Sequence, residues 1–390
     1  MGKGTISWFS NSPTAPTGYG QQTQQVVKRL KKDKYDVAIF SNYGREGANG
    51  EWNSGHGMVP EYARGAETYS QDITPLNHQH WKLQHPKQPD LFISLYDVWI
   101  MKGKKYDEMN IASWVPIDHY PAPPRVIEWL AKPNVTPIAM SKFGKQAIED
   151  AGLECEYVPH AIEAVFKPTD KISGLAGREY LGLKDDDFVV GIFAANKANG
   201  LVHRKALAEN ILAFGIFAKS RPDAVLYLHM DMFGAWGGWN IPDLLESCGI
   251  SNEQVVFVDQ VAYRYGEIDQ KMMAGLYTAC DVYLGTSYGE GFGIHTIEAQ
   301  ACGTPVIGSN FAATKELVGD GWLIDGQPLW DAHQKSWFNV PSVPAIVNAL
   351  EEAYARPRER SQKAIDFASE YGADYVYETH WKPLLAKLLK

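Results

Sequence analysis

Two glutamates eight positions apart, Glu290 and Glu298, bracket the segment EGFGIHTIE. Ionised carboxylates accept hydrogen bonds and donate none, which suits them to hydroxyl pairs. Gly291, Phe292 and Gly293 follow the first glutamate, and glycines there let the backbone come close to a ligand. The segment succeeds an apolar run, CDVYLGTS, whose composition predicts a buried parallel strand. It leads into TIEAQACG, a short amphipathic stretch that predicts a helix closed by Gly303, with Pro305 beyond. Strand, glycine loop and helix in that order put free N–H groups at the carboxyl edge of an open sheet, where anions bind. Carboxylates for hydroxyls beside N–H groups for phosphate describe a nucleotide-sugar site. Taken alone, the pair reads equally well as an exposed loop glutamate and an ordinary helical one. A glycosidase arrangement does not fit: it needs two carboxyls roughly 5–9.5 Å apart across one bond, whereas eight residues of helix rise about 12 Å and Glu290 precedes the helix.

Other residues of the right type stand elsewhere. Arg204 and Lys205 are adjacent cations between an apolar run, DFVVGIFAAN, and a helical pattern, KALAENILAFGIFAK. A fixed cation pair can stabilise the charge on a departing phosphate without a metal; a solvent-facing pair at a helix start is the alternative. Gly18 and Gly20 in TGYG follow the first strand and precede a helix, so they either open space for a diphosphate or make a tight turn. Asp118 and His119 in WVPIDHYPAP end a strand, as do His229 and Asp231 in LYLHMDM, before the aromatic loop FGAWGGW, which reads as flexible. The run Asp185, Asp186, Asp187 precedes a strand and reads as a solvated turn. Glu316 is either a ligand group or a plain helix-start carboxylate, and His160 is expected to pack at a hinge. Trp52, Trp81, Trp99 and Tyr120 could stack on a ligand, although core packing is the simpler expectation for each.

The elements that must position these residues alternate from end to end. Strand-like runs TISWFS, YDVAIFS, DLFISLYDV, IASWVPID, VTPIAMS and EYVPHAI come first, with helical patterns GQQTQQVVKRLKK and SKFGKQAIEDAGL among them. Residues 43–88 lose the rhythm and predict irregular structure with one strand near Met58. After 161–171 a second series begins: DFVVGIFAAN, AVLYLHMDM, QVVFVDQ, DVYLGTS, TPVIGS, GWLID. Alternating βα units imply mostly parallel sheets covered on both faces. The expected domains are 1–165 and 166–370, with 371–390 a helix returning to the first. From Pro344 the chain reads as helical, interrupted at Pro357 and Gly372.

Bulk numbers narrow the classes. The chain has 390 residues, 45% hydrophobic and 21% charged, enough for two cores. Up to His160 there are seventeen basic and seventeen acidic residues, so the whole net charge of −9 lies beyond it. That balance weighs against a nucleic-acid binder. One basic run, KRLKKDK from Lys28 to Lys34, reads as a solvated helix end or as weak contact with an anionic acceptor or membrane surface. Cys155, Cys248, Cys280 and Cys302 lack metal or disulfide spacing and suit a reducing compartment. With no leader pattern and no transmembrane run, the expected location is cytoplasmic, with peripheral membrane association open.

The second half resembles the retaining glycosyltransferases of family 4. QVVFVDQ, then LYTACDVYLGTSYGEGFGIHTIEAQACGTPVIGSNFAATKELVGDGWLI, is similar to that family's run through its E-x7-E motif. FAANKANGLVHRKALAENILAF stands where the family carries its donor-phosphate Arg/Lys segment, VPHAIEAVFKP resembles its domain junction, and PTGYGQQT its first glycine loop. Departures are Ala161 and Glu163 at the junction, Ala206 where glycine is common, and Ala194 to Asn196 where a glycine-arginine pair is usual. The resemblance implies the α/β GT-B fold, two Rossmann-like domains facing a central cleft. It implies sugar transfer from a nucleoside-diphosphate sugar, UDP- or GDP-linked, with retention and no metal, to an unidentified hydroxyl on a glycan, lipid or other acceptor. Glu298 would then accept from ribose hydroxyls and Glu290 from the sugar. Arg204, Lys205 and the N–H groups of Gly291–Gly293 would hold phosphate, with Gly18, Gly20 and Asn196 beside the donor, and His119, oriented by Asp118, would face sugar or acceptor. A transferase acting on a modified nucleic-acid base, an epimerase or phosphorylase on the same fold, and a non-enzymatic sugar- or partner-binding protein are the other readings.

Overall fold

A computed structural model describes residues 3–169, 171–172, 175–198 and 202–390. The chain divides into two compact units. One comprises Met1–Ala161, Ala332–Ser336 and Tyr371–Lys390, the other Ile162–Asp331 and Trp337–Glu370.

The first unit holds an eight-stranded sheet: β1 Thr5–Ser10, β2 Asp36–Ser41, β3 Gly50–Asn53, β4 Met58–Tyr62, β5 Asp90–Leu95, β6 Ile111–Val115, β7 Val135–Ala139 and β8 Glu156–Tyr157, ordered β3-β4-β2-β1-β5-β6-β7-β8. Neighbours run parallel except β3 and β4. Every residue of β1 and β6 is buried, as continuous apolar strands covered on both faces must be. The helix Gly18–Lys32 opens with Thr17 Oγ1 accepting from Gly20 N at 3.0 Å and closes on Arg29, Lys31 and Lys32, cations suited to a helix C-terminus. The last segment adds Ala373–Val376, a π-turn at Tyr377–Trp381 and Lys382–Leu388. It buries Trp381 against Trp114 and Trp8, ring centroids 4.9 and 5.8 Å away.

Residues 43–88 are more regular than expected. They carry β3 as well as β4 and a helix, Thr74–Leu83. The strand leaves little trace in the sequence because it is a four-residue edge with alternating half-exposed positions. The helix hid its inward face behind a polar residue: His78 is buried with Nδ1 2.8 Å from Ser7 Oγ, so the apolar period is broken at a core position. EYVPHAI yields only the two residues of β8.

The second unit begins with a short antiparallel pair, β9 Lys171–Ile172 and β10 Leu175–Ala176. Its main sheet has β11 Phe188–Phe193, β12 Ala224–His229, β13 Val255–Phe257, β14 Val282–Gly285, β15 Val306–Ser309 and β16 Gly321–Ile324, all parallel, ordered β13-β12-β11-β14-β15-β16. The chain winds outward from β11 to β13 and returns to β14 on the other side of β11. The switch point therefore lies between β11 and β14, and the loops leaving their carboxyl ends flank the crevice where such sheets bind ligands. A two-stranded sheet, β17 Gly326–Asp331 and β18 Ser336–Pro341, follows where no strand was expected. The helices Val343–Ala355 and Gln362–Ser369 close the unit, each capped by a serine, Ser342 and Ser361.

Candidate active site

The loops after β11 and β14 meet at one buried carboxylate. Glu290 is 8% exposed. Arg204 Nη1 donates to its Oε2 at 2.9 Å and to the Gly289 carbonyl at 2.9 Å, and Lys205 Nζ donates to its Oε1. Burial alone would push this carboxyl up; the charges of Arg204 and Lys205, with hydrogen bonds from Lys205 and Ser287, outweigh burial and hold it well below the usual carboxylate range. The cations are themselves placed by Tyr288, whose N–H donates to the Arg204 carbonyl at 2.7 Å and whose hydroxyl donates to Glu209. Directly after them the backbone turns at Ala206 (φ +50°), at the start of the helix Leu207–Ala218. That left-handed conformation is what a glycine would adopt without strain. Ala206, Tyr288 and Phe338 of β18 form a small core of their own, and the Asn339 N–H donates to the Tyr288 carbonyl at 3.0 Å.

Gly293 (φ +91°) starts the helix Ile294–Ala301 without a side-chain cap, and Phe292 is buried. Glu298, 1% exposed, lies on that helix. The Tyr277 hydroxyl donates to its Oε2 at 2.7 Å, and His295 Nδ1 lies 3.1 Å from the same oxygen. Its Oε1 is buried with no hydrogen-bond partner among the described residues. The unit thus presents a cation pair already holding an anion and a second carboxylate held by one oxygen.

Comparison with known proteins identifies the fold. The structure superposes on sucrose-phosphate synthase from Thermosynechococcus elongatus with a TM-score of 0.74, 17% identity and 99% of both chains covered. It superposes on Anabaena Alr3699/HepE, solved in complex with UDP-glucose, with a TM-score of 0.68, 16% identity and 98% and 100% coverage. The fold is GT-B. Within this GT-B chain, residues 255–370 match the family of glycosyl transferases group 1. Over 184 residues the chain is 29% identical to a D-inositol 3-phosphate glycosyltransferase of Paenarthrobacter aurescens (strain TC1), 45% of this chain and 38% of that protein. Over 110 residues it is 33% identical to the serotype-specific mannosyltransferase WbdA of Escherichia coli, 28% and 11% respectively. The chain spans well under half the length of these curated relatives.

The other expected site residues divide into two groups. In the first GT-B unit, His119 is buried and its Nδ1 lies 2.6 Å from Asp118 Oδ1, so the pair is built as a held histidine. Gly20 has a structural reason to be glycine: a Cβ there would lie 2.3 Å from the Ala15 carbonyl oxygen. Gly18 opens the same helix. His160 packs on Trp114 at 4.6 Å and on Tyr19, with burial lowering its pKa to about 3. Of the run from Lys28 to Lys34, Arg29 is buried and bonded to Asp374 at 2.9 Å, so the run is no uniform basic face. Trp81 is buried, Trp52 and Trp99 are half-buried, and Tyr120 is exposed.

In the second unit Asn196 is engaged internally. Its Nδ2 donates to the carbonyls of Asp231 and Trp239, and its Oδ1 accepts from Trp239 N. The loop FGAWGGW is therefore pinned rather than loose, with Trp239 stacked 3.8 Å from His203. Asp231 is fully buried on Arg264 and two backbone N–H groups, and His229 stacks on Phe193. Asp185 and Asp186 form a turn, and Asp187 Oδ2 accepts from Lys184 N at 2.8 Å. Glu316 is half-buried in a four-residue helix, Thr314–Leu317. All four cysteines are free, and no helix among the described residues is long and apolar enough to cross a membrane. Sequence reasoning passed over Tyr277, Tyr288 and His295. Only His295 carried a signal, lying inside EGFGIHTIE three residues before Glu298.

Proposed function

We propose that the chain is a glycosyltransferase that moves a sugar from a UDP- or GDP-linked donor to an acceptor hydroxyl, with retention and without a metal. The observation that carries this is the convergence of Arg204 and Lys205 on the buried Glu290 carboxylate at the carboxyl end of β14. Such a pair of cations, fixed beside a switch point, is built to hold an anion. The sequence likeness of residues 255–370 to group 1 glycosyl transferases supports the chemistry, and the UDP-glucose bound by HepE supports a nucleotide-sugar on this fold.

In the structure Glu290 pairs with the two cations. A donor diphosphate brings more negative charge, takes over Arg204 and Lys205, and releases Glu290 to accept from hydroxyls of the transferred sugar. Gly291–Gly293 N–H groups add phosphate contacts, and Glu298 accepts from the ribose. The acceptor oxygen forms a bond to the anomeric carbon on the face from which phosphate departs. The carbon–oxygen bond to phosphate breaks, its electron pair leaves with the phosphate, and that oxygen collects the acceptor proton. Arg204 and Lys205 hold the charge that develops there. On the resemblance, His119 held by Asp118 is assigned to the sugar or acceptor.

A panel of UDP-, GDP- and dTDP-sugars ranked by thermal stabilisation tests the donor: saturation at a hundred times Kd adds about 2.7 kcal/mol. With the stabilising donor, nucleoside diphosphate should be released slowly alone and faster with acceptor, and Arg204→Ala should slow turnover about a hundredfold. The reading is lost if no donor stabilises the chain, or if Arg204→Ala and Glu290→Ala both turn over like the natural protein.

A further inference from the structure

The helix Gln270–Ala279 carries Tyr277 into the interior of the second unit, where it has no exposed surface. Its hydroxyl is 2.7 Å from Glu298 Oε2 and 2.6 Å from His295 Nδ1. Counting donors fixes the roles. An ionised carboxylate only accepts, so the tyrosine O–H points at Oε2. The tyrosine oxygen is then an acceptor for His295. The ring can serve both neighbours only with a proton on Nδ1, the tautomer that, in a neutral imidazole, offers Nε2 as an acceptor. Burial, and then the charge of Glu298, push the Tyr277 ionisation well above its ordinary range, so the hydroxyl remains a donor. Phe193 packs on the ring at 4.2 Å, and Thr304 Oγ1 donates to the Tyr277 carbonyl at 2.7 Å, so the residue is held from two sides.

We propose that Tyr277 is a positioning residue: it holds Oε2 of Glu298 so that Oε1 is presented to a ribose hydroxyl of the nucleotide, and it fixes His295 as a second acceptor for the same diol. This rests on the donor reading above and adds the device that orients its ribose subsite. A buried carboxylate oxygen with no donor is unfavourable, and a ribose hydroxyl supplies the missing one. Without the tyrosine O–H, the carboxylate is free to turn Oε1 away and satisfy itself locally.

Calorimetry on the full chain with UDP, GDP and their 2′-deoxy counterparts tests this. The natural protein should bind the ribonucleotide about tenfold more tightly than its deoxy form, the worth of one hydrogen bond to a charged acceptor. Tyr277→Phe should weaken the ribonucleotide about tenfold and bring the ratio close to one. With a donor sugar, its KM should rise by more than its kcat falls. A merely structural role would lower Tm and leave the ratio intact. Glu298→Gln should lose the ratio too, and Tyr277→Phe with Glu298→Gln should lose no more than either alone. His295→Ala removes a part-exposed side chain without opening the core and should lower the ratio about threefold; an unchanged ratio there overturns the histidine's part. If Glu298→Gln loses the ratio while Tyr277→Phe keeps it, the positioning role is overturned and the donor reading stands. If the natural protein binds neither form, or both alike, the ribose reading itself falls and the proposal with it.

Discussion

Glu290 is a carboxylate that two cations already hold before any ligand arrives. Removing its charge should therefore affect two ligands differently. Glu290→Gln leaves Arg204 and Lys205 without their resident anion, so a bare nucleoside diphosphate, with no sugar to lose contact with, should bind severalfold more tightly, about 1 kcal/mol. The nucleotide-sugar should show no such gain, and turnover should fall; equal changes for both ligands would mean that Glu290 and the diphosphate do not compete. The pH dependence has a definite sign. The folded carboxyl titrates below its ordinary value of about 4.3, so the unfolded chain binds the extra proton on acidification. The ion pair's contribution is complete at neutral pH and is lost as pH falls from the ordinary carboxylate range through the lower folded value. The Tm gap between the natural protein and Glu290→Gln should be wide at pH 7, begin to shrink below about pH 4 and keep shrinking on further acidification. Ala206 gives a companion test on the backbone. It is fully buried at φ +50°, so Ala206→Val adds a β-branched side chain in a left-handed conformation and should cost about 3 kcal/mol, whereas Ala206→Gly should fold normally.

At the scale of elements, the site depends on a strand that does no chemistry. β18 places Phe338 against Tyr288 and Ala206, and Tyr288 in turn carries the Arg204 carbonyl. Phe338→Ala should cost about 3 kcal/mol in the second unit and weaken nucleoside diphosphate binding severalfold, while Trp337→Ala, on an exposed neighbour, should change neither. This two-stranded sheet also marks where sequence reading runs out. The parallel strands were legible because burial on both faces requires unbroken apolar runs, as in FVVGIF and AVLYLH. β17 and β18 are half-exposed, with polar and aromatic residues interleaved, and resemble loop. The helix Thr74–Leu83 was lost for a related reason, since its inward His78 bonds Ser7 and breaks the apolar stripe. Within the site, EGFGIHTIE was legible because strand, glycine loop and helix are adjacent in sequence. Tyr277 was not, because its tie to Glu298 joins two helices and leaves no periodic trace.

At the scale of the whole chain, the division into two compact units, each with a large hydrophobic cluster among its described residues, predicts two cooperative units. The first cluster includes Phe92, Val115 and Trp129, the second Val190, Phe214 and Leu284. The C-terminal segment Tyr371–Lys390 belongs to the first unit although the second precedes it in the chain, and Trp381 is its anchor, 2% exposed against Trp8 and Trp114. Deleting that indole leaves a cavity among large rings, so Trp381→Ala should destabilise the first unit by about 3–5 kcal/mol. Arg204, Lys205, Gly291–Gly293 and Glu298, by contrast, to which the phosphates and ribose are assigned, stand in the second unit. Calorimetric unfolding should then resolve two transitions. A nucleoside diphosphate should raise one of them, and Trp381→Ala should lower the other and leave the ligand-shifted one in place. A single transition moved by both would show that the two cores unfold as one, and the site's stability would then depend on the C-terminal segment as much as on the sheet that carries it.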